Sequence, residues 1–173
     1  MPIYSNQVEH HVLGGLLKHP TVLSEIDSFV SIGDFYNDVH QTIYCVLRDS
    51  ILSDDKIDKV LIATKISNLG ISSKYDIEIY DYINTLFHTP ITKGAVIEAC
   101  KELVKFRIRR ELSETADRIK DHVKNSSCET LEDIISKSDS IYGDKVTSYS
   151  FEDDPKNVFD DLEYLIEERG NNP

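Results

Sequence analysis

Residues 92–123, TKGAVIEACKELVKFRIRRELSETADRIKDHV, decide the fold. Val96, Cys100, Leu103, Ile108, Leu112, Ala116, Ile119 and Val123 recur mostly every three or four positions, the spacing that returns a side chain to one face of an α-helix. No proline interrupts the run, so the spacing predicts one helix of about seven turns. Such a helix outruns a small globular head. Asn125-Ser126-Ser127 closes it, and Leu131, Ile134, Ile135, Ser138 and Tyr142 mark a partner helix that returns antiparallel. Residues 96–143 therefore read as a helical hairpin.

Upstream, residues 1–95 read as a compact head of five to six helices. Val8, Val12, Leu13, Leu16 and Leu17 keep helical spacing behind Asn6, which is placed to cap, with Glu9 placed to fold back as in a capping box. A helical turn over 22–26 leads to the aromatic loop Phe29–Tyr36, and Val39, Ile43, Val46 and Leu47 carry a second long helix to about Leu52. Asp58 caps a helix that ends before Gly70, and Ile79, Tyr82, Ile83 and Leu86 form another before Pro90.

Downstream of Gly143 the composition shifts. Residues 144–173 hold nine acidic and three basic side chains, and they open on the unpatterned Lys145–Ser150, which reads as a linker. Pro155 then precedes Val158, Phe159, Leu162, Leu165 and Ile166, an amphipathic helix too short to stand without tertiary contact. The fold class is all-α: head, hairpin, and an acidic linker with its own helix.

The 173 residues carry 31 acidic and 19 basic side chains, a net charge of -12, which argues against strong direct nucleic-acid binding because that needs a basic surface to displace counterions. No apolar run is long enough to span a membrane and the first residues lack the pattern of a signal peptide, so the expectation is a cytoplasmic chain without a membrane partner. Cys45, Cys100 and Cys128 are an odd number at wide spacing and read as reduced packing residues.

Chemistry is sparse. There is no glycine-rich Gly-Lys-Ser/Thr loop to cradle phosphates, so no cofactor is expected in this segment. His10 and His11 are adjacent, about 100° apart on a helix, and do not chelate one ion as an i, i+4 pair does; Glu9-His10-His11 reads as a solvated helix edge. His40 reads as a packed or capping histidine. Glu111, Glu114 and Asp117 step by three and would suit a Mg2+-dependent nucleotide pyrophosphohydrolase, but Arg107, Arg110 and Arg118 interleave at i, i+4 as ordinary surface ion pairs. Residues 101–124 hold eight basic and five acidic side chains, an excess that suits an acidic protein surface such as that of a second copy.

Three stretches together resemble the N-terminal domain of DnaB-family replicative DNA helicases. Glu9-His10-His11-Val12-Leu13-Gly14-Gly15-Leu16-Leu17 is similar to the family's opening helix. Asp34-Phe35-Tyr36, then His40 and Ile43-Tyr44, matches the family's D-F-Y-x-x-x-H-x-x-I-[FY]. Ile57–Val60, Tyr82–Leu86 and Arg109-Arg110-Glu111-Leu112 resemble later signatures in the same order, over about residues 3–142. The chain departs from the family at Ser72–Asp76, where paired glycines are usual, and its acidic tail looks more like those of phage-encoded members.

The resemblance implies a non-catalytic collar domain of a hexameric helicase, with ATP and Mg2+ used by a motor domain that this sequence does not contain. It implies self-association from dimer to hexamer, with primase and helicase loader as partners. The interface residues it implies are Leu103, Phe106, Arg107, Arg110, Leu112, Ile119, Val123, Leu131, Ile134 and Ile135. Phe159, Leu162, Leu165 and Ile166 would dock on the motor domain of the adjacent subunit, and Asp34, Phe35, Tyr36, His40 and Ile43 would be structural. A second expectation is a stand-alone regulator or inhibitor that binds such a helicase.

Overall fold

The computed structural model describes residues 2–152, all in helices and their connections. Eight α-helices occur among them: α1 Asn6–Lys18, α2 Leu23–Ile26, α3 Asp38–Leu52, α4 Lys59–Ser67, α5 Ile71–Tyr75, α6 Ile79–Phe87, α7 Lys93–Asn125 and α8 Leu131–Glu152. They form two compact units, the head over residues 1–111 and a second unit from Leu112 onward.

The head is built around α1. Its cap is Ser5 rather than Asn6, the Ser5 hydroxyl accepting from the Val8 amide at 3.3 Å. Val12, Leu13, Leu16 and Leu17 point into a core shared with Ile43, Tyr44 and Leu47 of α3, Ile62 and Ile66 of α4, and Ile79, Ile83 and Leu86 of α6. Two glycines let neighbouring elements come in close. A Cβ on Gly14 would sit 2.4 Å from the Leu86 carbonyl oxygen, and one on Gly15 would sit 2.2 Å from Cγ2 of Val96. Gly14-Gly15 is thus the seat on which the end of α6 and the start of α7 rest. The end of α1 then bonds to the chain leaving α6, Lys18 donating to the Thr89 carbonyl at 2.5 Å.

The head also takes in the first part of α7, because Val96, Ala99, Cys100 and Leu103 belong to its core. The sequence reading closes the head at residue 95. The single apolar stripe of residues 92–123 serves two environments in turn, which periodicity alone does not divide.

At Ser72–Asp76 the expected glycines are replaced by the short helix α5, entered through Gly70 at φ 76° and left through Asp76 at φ 53°. Asp76 occupies the left-handed region that glycine favours, where a short polar side chain is the next best tolerated.

In the second unit, residues 112–125 of α7 lead through Ser126–Thr130 into α8, completing the helical hairpin. Thr130 caps α8: its hydroxyl oxygen accepts from the Asp133 amide at 3.2 Å and its proton goes to the Asp133 carboxylate at 2.8 Å. The helix then continues through Gly143 to Glu152, where the sequence suggested a linker from residue 144. A glycine inside a helix costs only about 1 kcal/mol relative to alanine. The next turns supply side chains that suit a helix, with Lys145 Nζ 5.1 Å from the ring centre of Tyr149 one turn on. The amphipathic stretch with Phe159, Leu162, Leu165 and Ile166 lies outside the described residues.

Candidate functional site

The loop between α2 and α3 is where the head's polar side chains converge. Asp34 is fully buried; its carboxylate accepts from the Ser31 amide at 2.5 Å and the Ser31 hydroxyl at 3.1 Å, and its other oxygen lies 2.6 Å from Arg107 Nε. Burial pushes the Asp34 carboxyl upward, against the pull of Ser31 and Arg107. Arg110, one turn further along α7, donates to the carbonyls of Ile3 at 3.2 Å, Gly33 at 3.3 Å and Asp34 at 2.8 Å. Its guanidinium also lies 5.7 Å from the centre of the Tyr36 ring, and Tyr36 stacks on Tyr4 with centroids 4.3 Å apart. Two arginines of α7 therefore fasten this loop to the head.

On the other side, the same loop is held by α1. Glu9 is buried, and its carboxylate accepts from the amides of Tyr36 at 2.8 Å and Asn37 at 3.4 Å and from His40 Nδ1. His40 Nε2 bonds to the Tyr82 hydroxyl, which also bonds to His10 Nε2 at 2.9 Å. Burial is the main reason that His10 sits below the ordinary histidine value and that Tyr82 sits above the usual phenol value. Phe35 packs on Tyr44 in the core, with ring centroids 4.8 Å apart.

These contacts account for D-F-Y-x-x-x-H residue by residue. Asp34 pairs with Arg107, Phe35 fills the core, Tyr36 offers an amide to Glu9 and a ring to Tyr4 and Arg110, and His40 meets Glu9. Ile43 is fully buried behind them. The packed-histidine reading of His40 agrees with this geometry. Three other expectations need correcting. Glu9 is not a solvated edge residue or a capping-box partner, because the loop at 36–37 offers it two amides. Arg107 and Arg110 are not simple surface partners of Glu111 and Glu114: Arg107 lies 3.8 Å from Glu111, but its shorter ion pair is with buried Asp34, and Arg110 serves loop carbonyls. Leu103 is 1% exposed within the head core and has no surface to offer another chain.

The remaining interface residues divide by exposure. Phe106 is half-buried beneath Arg109, 5.7 Å from its ring centre, and Ile119 and Ile134 are half-buried. Leu112, Val123, Leu131 and Ile135 are exposed, as is Tyr142 further along α8, and the extension of α8 past Gly143 adds exposed Val146. On the head, Val60, Leu61, Leu69 and Tyr80 are exposed, and Lys59, Val60, Tyr80, Asp81 and Asn84 line a shallow cleft between α4 and α6. Among the described residues no three His, Cys, Asp or Glu side chains are grouped to hold a metal ion, and no helix is long and apolar enough to cross a membrane.

Core, fastened loop and hairpin define an all-helical head-and-hairpin domain. The family model for the DnaB-like helicase N-terminal domain matches residues 1–105, and the chain belongs to that family. The crystal structure of the N-terminal domain of DnaB helicase from Mycobacterium tuberculosis is similar, with a TM-score of 0.70 and 22% identity, over 82% of this chain and 99% of that one. No curated protein matches.

Proposed function

We propose that this chain is the non-catalytic collar domain of a hexameric, ATP-dependent replicative helicase, self-associating through its second unit and offering its head to primase or a helicase loader. ATP and Mg2+ belong in this reading to a motor domain carried elsewhere, and DNA is not the direct ligand of this segment. The observation that carries it is the row Leu131, Ile135, Tyr142 and Val146 on α8, exposed by 68%, 59%, 53% and 39%. At 100° per residue the four lie within about 60° of one another, so they form one face.

Burying such side chains is worth about 1.5–3 kcal/mol each. These four are 39–68% exposed, so four from each of two copies regain roughly half of that per side chain, a sum on the order of the 4–15 kcal/mol that association costs. A concentration-dependent oligomer follows. Light scattering from micromolar to near-millimolar chain should show dimers or larger species, and Leu131→Asp with Tyr142→Asp should return the mass to monomer. A wild-type chain that stays monomeric throughout, and binds neither primase nor a motor domain, would defeat this reading.

A further inference from the structure

Val60, Leu61, Ile62, Ala63 and Ile66 make α4 apolar around its whole circumference instead of along one side. A helix of that kind is normally covered on every side. The head covers only part of it: Ile62, Ala63 and Ile66 belong to the core, whereas Val60 and Leu61 stand 52% and 51% exposed, and Tyr80 of α6 beside them is 50% exposed. Lys59 Nζ donates to Asn84 Oδ1 at 2.8 Å, and Thr64 Oγ1 shares a hydrogen bond with the Tyr80 hydroxyl at 3.0 Å, so α4 and α6 run antiparallel. The cleft between them is therefore a straight groove, the shape into which a third helix packs.

Charge selects the occupant. Glu78 and Asp81 are exposed one turn apart at the start of α6, and neither is in an ion pair among the described residues, while Lys59 is half-buried and tied to Asn84. Such a groove disfavours α8, which carries five acidic and two basic side chains over Leu131–Glu152. The second half of α7 suits it. Leu112, Ala116 and Val123 are exposed there and lie within about 40° of one another at 100° per residue. Lys120 and Lys124 run along one edge of that stripe, exposed, one turn apart and likewise in no ion pair among the described residues. Asp117 and Asp121 lie further round, about 140–180° from Leu112.

We propose that the α4–α6 groove of one copy receives the α7 stripe of another, with Lys120 and Lys124 meeting Glu78 and Asp81. This contact rests on the self-association proposed for α8 and adds to it. Groove and stripe are different surfaces, so each pairing leaves one of each free and growth continues, whereas the α8 row pairs with itself and stops at two. A dimer carries two grooves and two stripes, so dimers link at concentrations at which single chains do not.

Light scattering from the chain at near-millimolar concentration tests the contact. In about 0.1 M salt the mass should exceed that of the dimer by about twofold or more, and in about 1 M salt, which screens charges beyond roughly 3 Å, it should return to the dimer. Glu78→Lys with Asp81→Lys, and separately Lys120→Glu with Lys124→Glu, should each stop at the dimer. All four side chains are exposed, so both variants keep the fold. An equal mixture of the two sets a basic groove against an acidic stripe and should regain the larger mass. A wild-type chain that stops at the dimer, reversed variants that still exceed it, or a mixture that regains nothing overturns this contact and leaves the α8 dimer standing. A chain that is monomeric at every concentration overturns both.

Discussion

The head and the second unit use similar apolar periodicity for opposite ends. In the head, Leu13, Leu16, Ile43, Ile62 and Ile83 are all at or below 1% exposure. In the second unit, Leu131, Ile135 and Tyr142 stand more than half exposed. The head closes its core within one chain, by glycine seats and the Asp34–Arg107 ion pair; the hairpin leaves apolar side chains exposed on α8. A stripe at helical spacing thus specifies a helix and a face, and not whether the covering surface comes from the same chain.

The sharpest way to test the head's side of that contrast is Arg107→Met. It leaves the Asp34 carboxylate buried without its cation, and breaking such a pair costs about 3–5 kcal/mol. Urea unfolding at neutral pH should show a loss of that size. Because burial already pushes the Asp34 carboxyl upward, removing Arg107 raises it further, so the folded variant accepts the proton more readily than the unfolded chain. The loss should shrink as pH falls toward 5. A variant with wild-type stability at neutral pH would show that the fastened loop does not hold the head.

Gly14→Ala comes next. The new Cβ would meet a backbone carbonyl at 2.4 Å, which has no flexible end to swing aside, and forced repacking costs about 1–3 kcal/mol. This opposes the roughly 1 kcal/mol by which alanine favours a helix. A melting temperature below wild type is expected; an increase would mean that α6 moves away freely. Asp76→Gly works in the other direction. Its left-handed backbone is strained for any residue with a Cβ, so glycine there should stabilise the head by about 0.5–1 kcal/mol, after the unfolded-state entropy of glycine is set against the relief. Asp76→Val should destabilise it.

Most helices were legible because period and caps agree: Asp58 caps α4 as read, and residues 93–123 lie in one helix. The fastened loop was legible only as a motif. D-F-Y-x-x-x-H marks its positions, but the partners Glu9, Tyr82, Arg107 and Arg110 are up to 77 residues away along the chain from the groups they bond in this loop. Local spacing offered each of them a plausible short-range use, such as the i, i+4 pair of Arg107 with Glu111, and tertiary contact overrode it. The length of α8 was missed for a related reason. Gly143 and the Ser/Thr-rich turn after it lower helix propensity without forbidding a helix, and Val146 and Tyr149 continue the pattern beyond them.

Ile135→Asp has the smallest expected effect on folding and probes the comparison most directly. Its side chain is 59% exposed on α8, so an aspartate there keeps its water, unlike a charge placed at Leu103 in the head core. Exposed substitutions away from special contacts change stability by no more than about 0.5 kcal/mol. At dilution, where self-association is absent, the urea midpoint should match wild type, while at high concentration the mass by light scattering should fall. Leu103→Asp should do the reverse, unfolding the head at any concentration because it buries an unpaired charge. If Ile135→Asp lowers the dilute midpoint as strongly as Leu103→Asp does, the face is already covered within one chain, and the hairpin differs from the head only in degree.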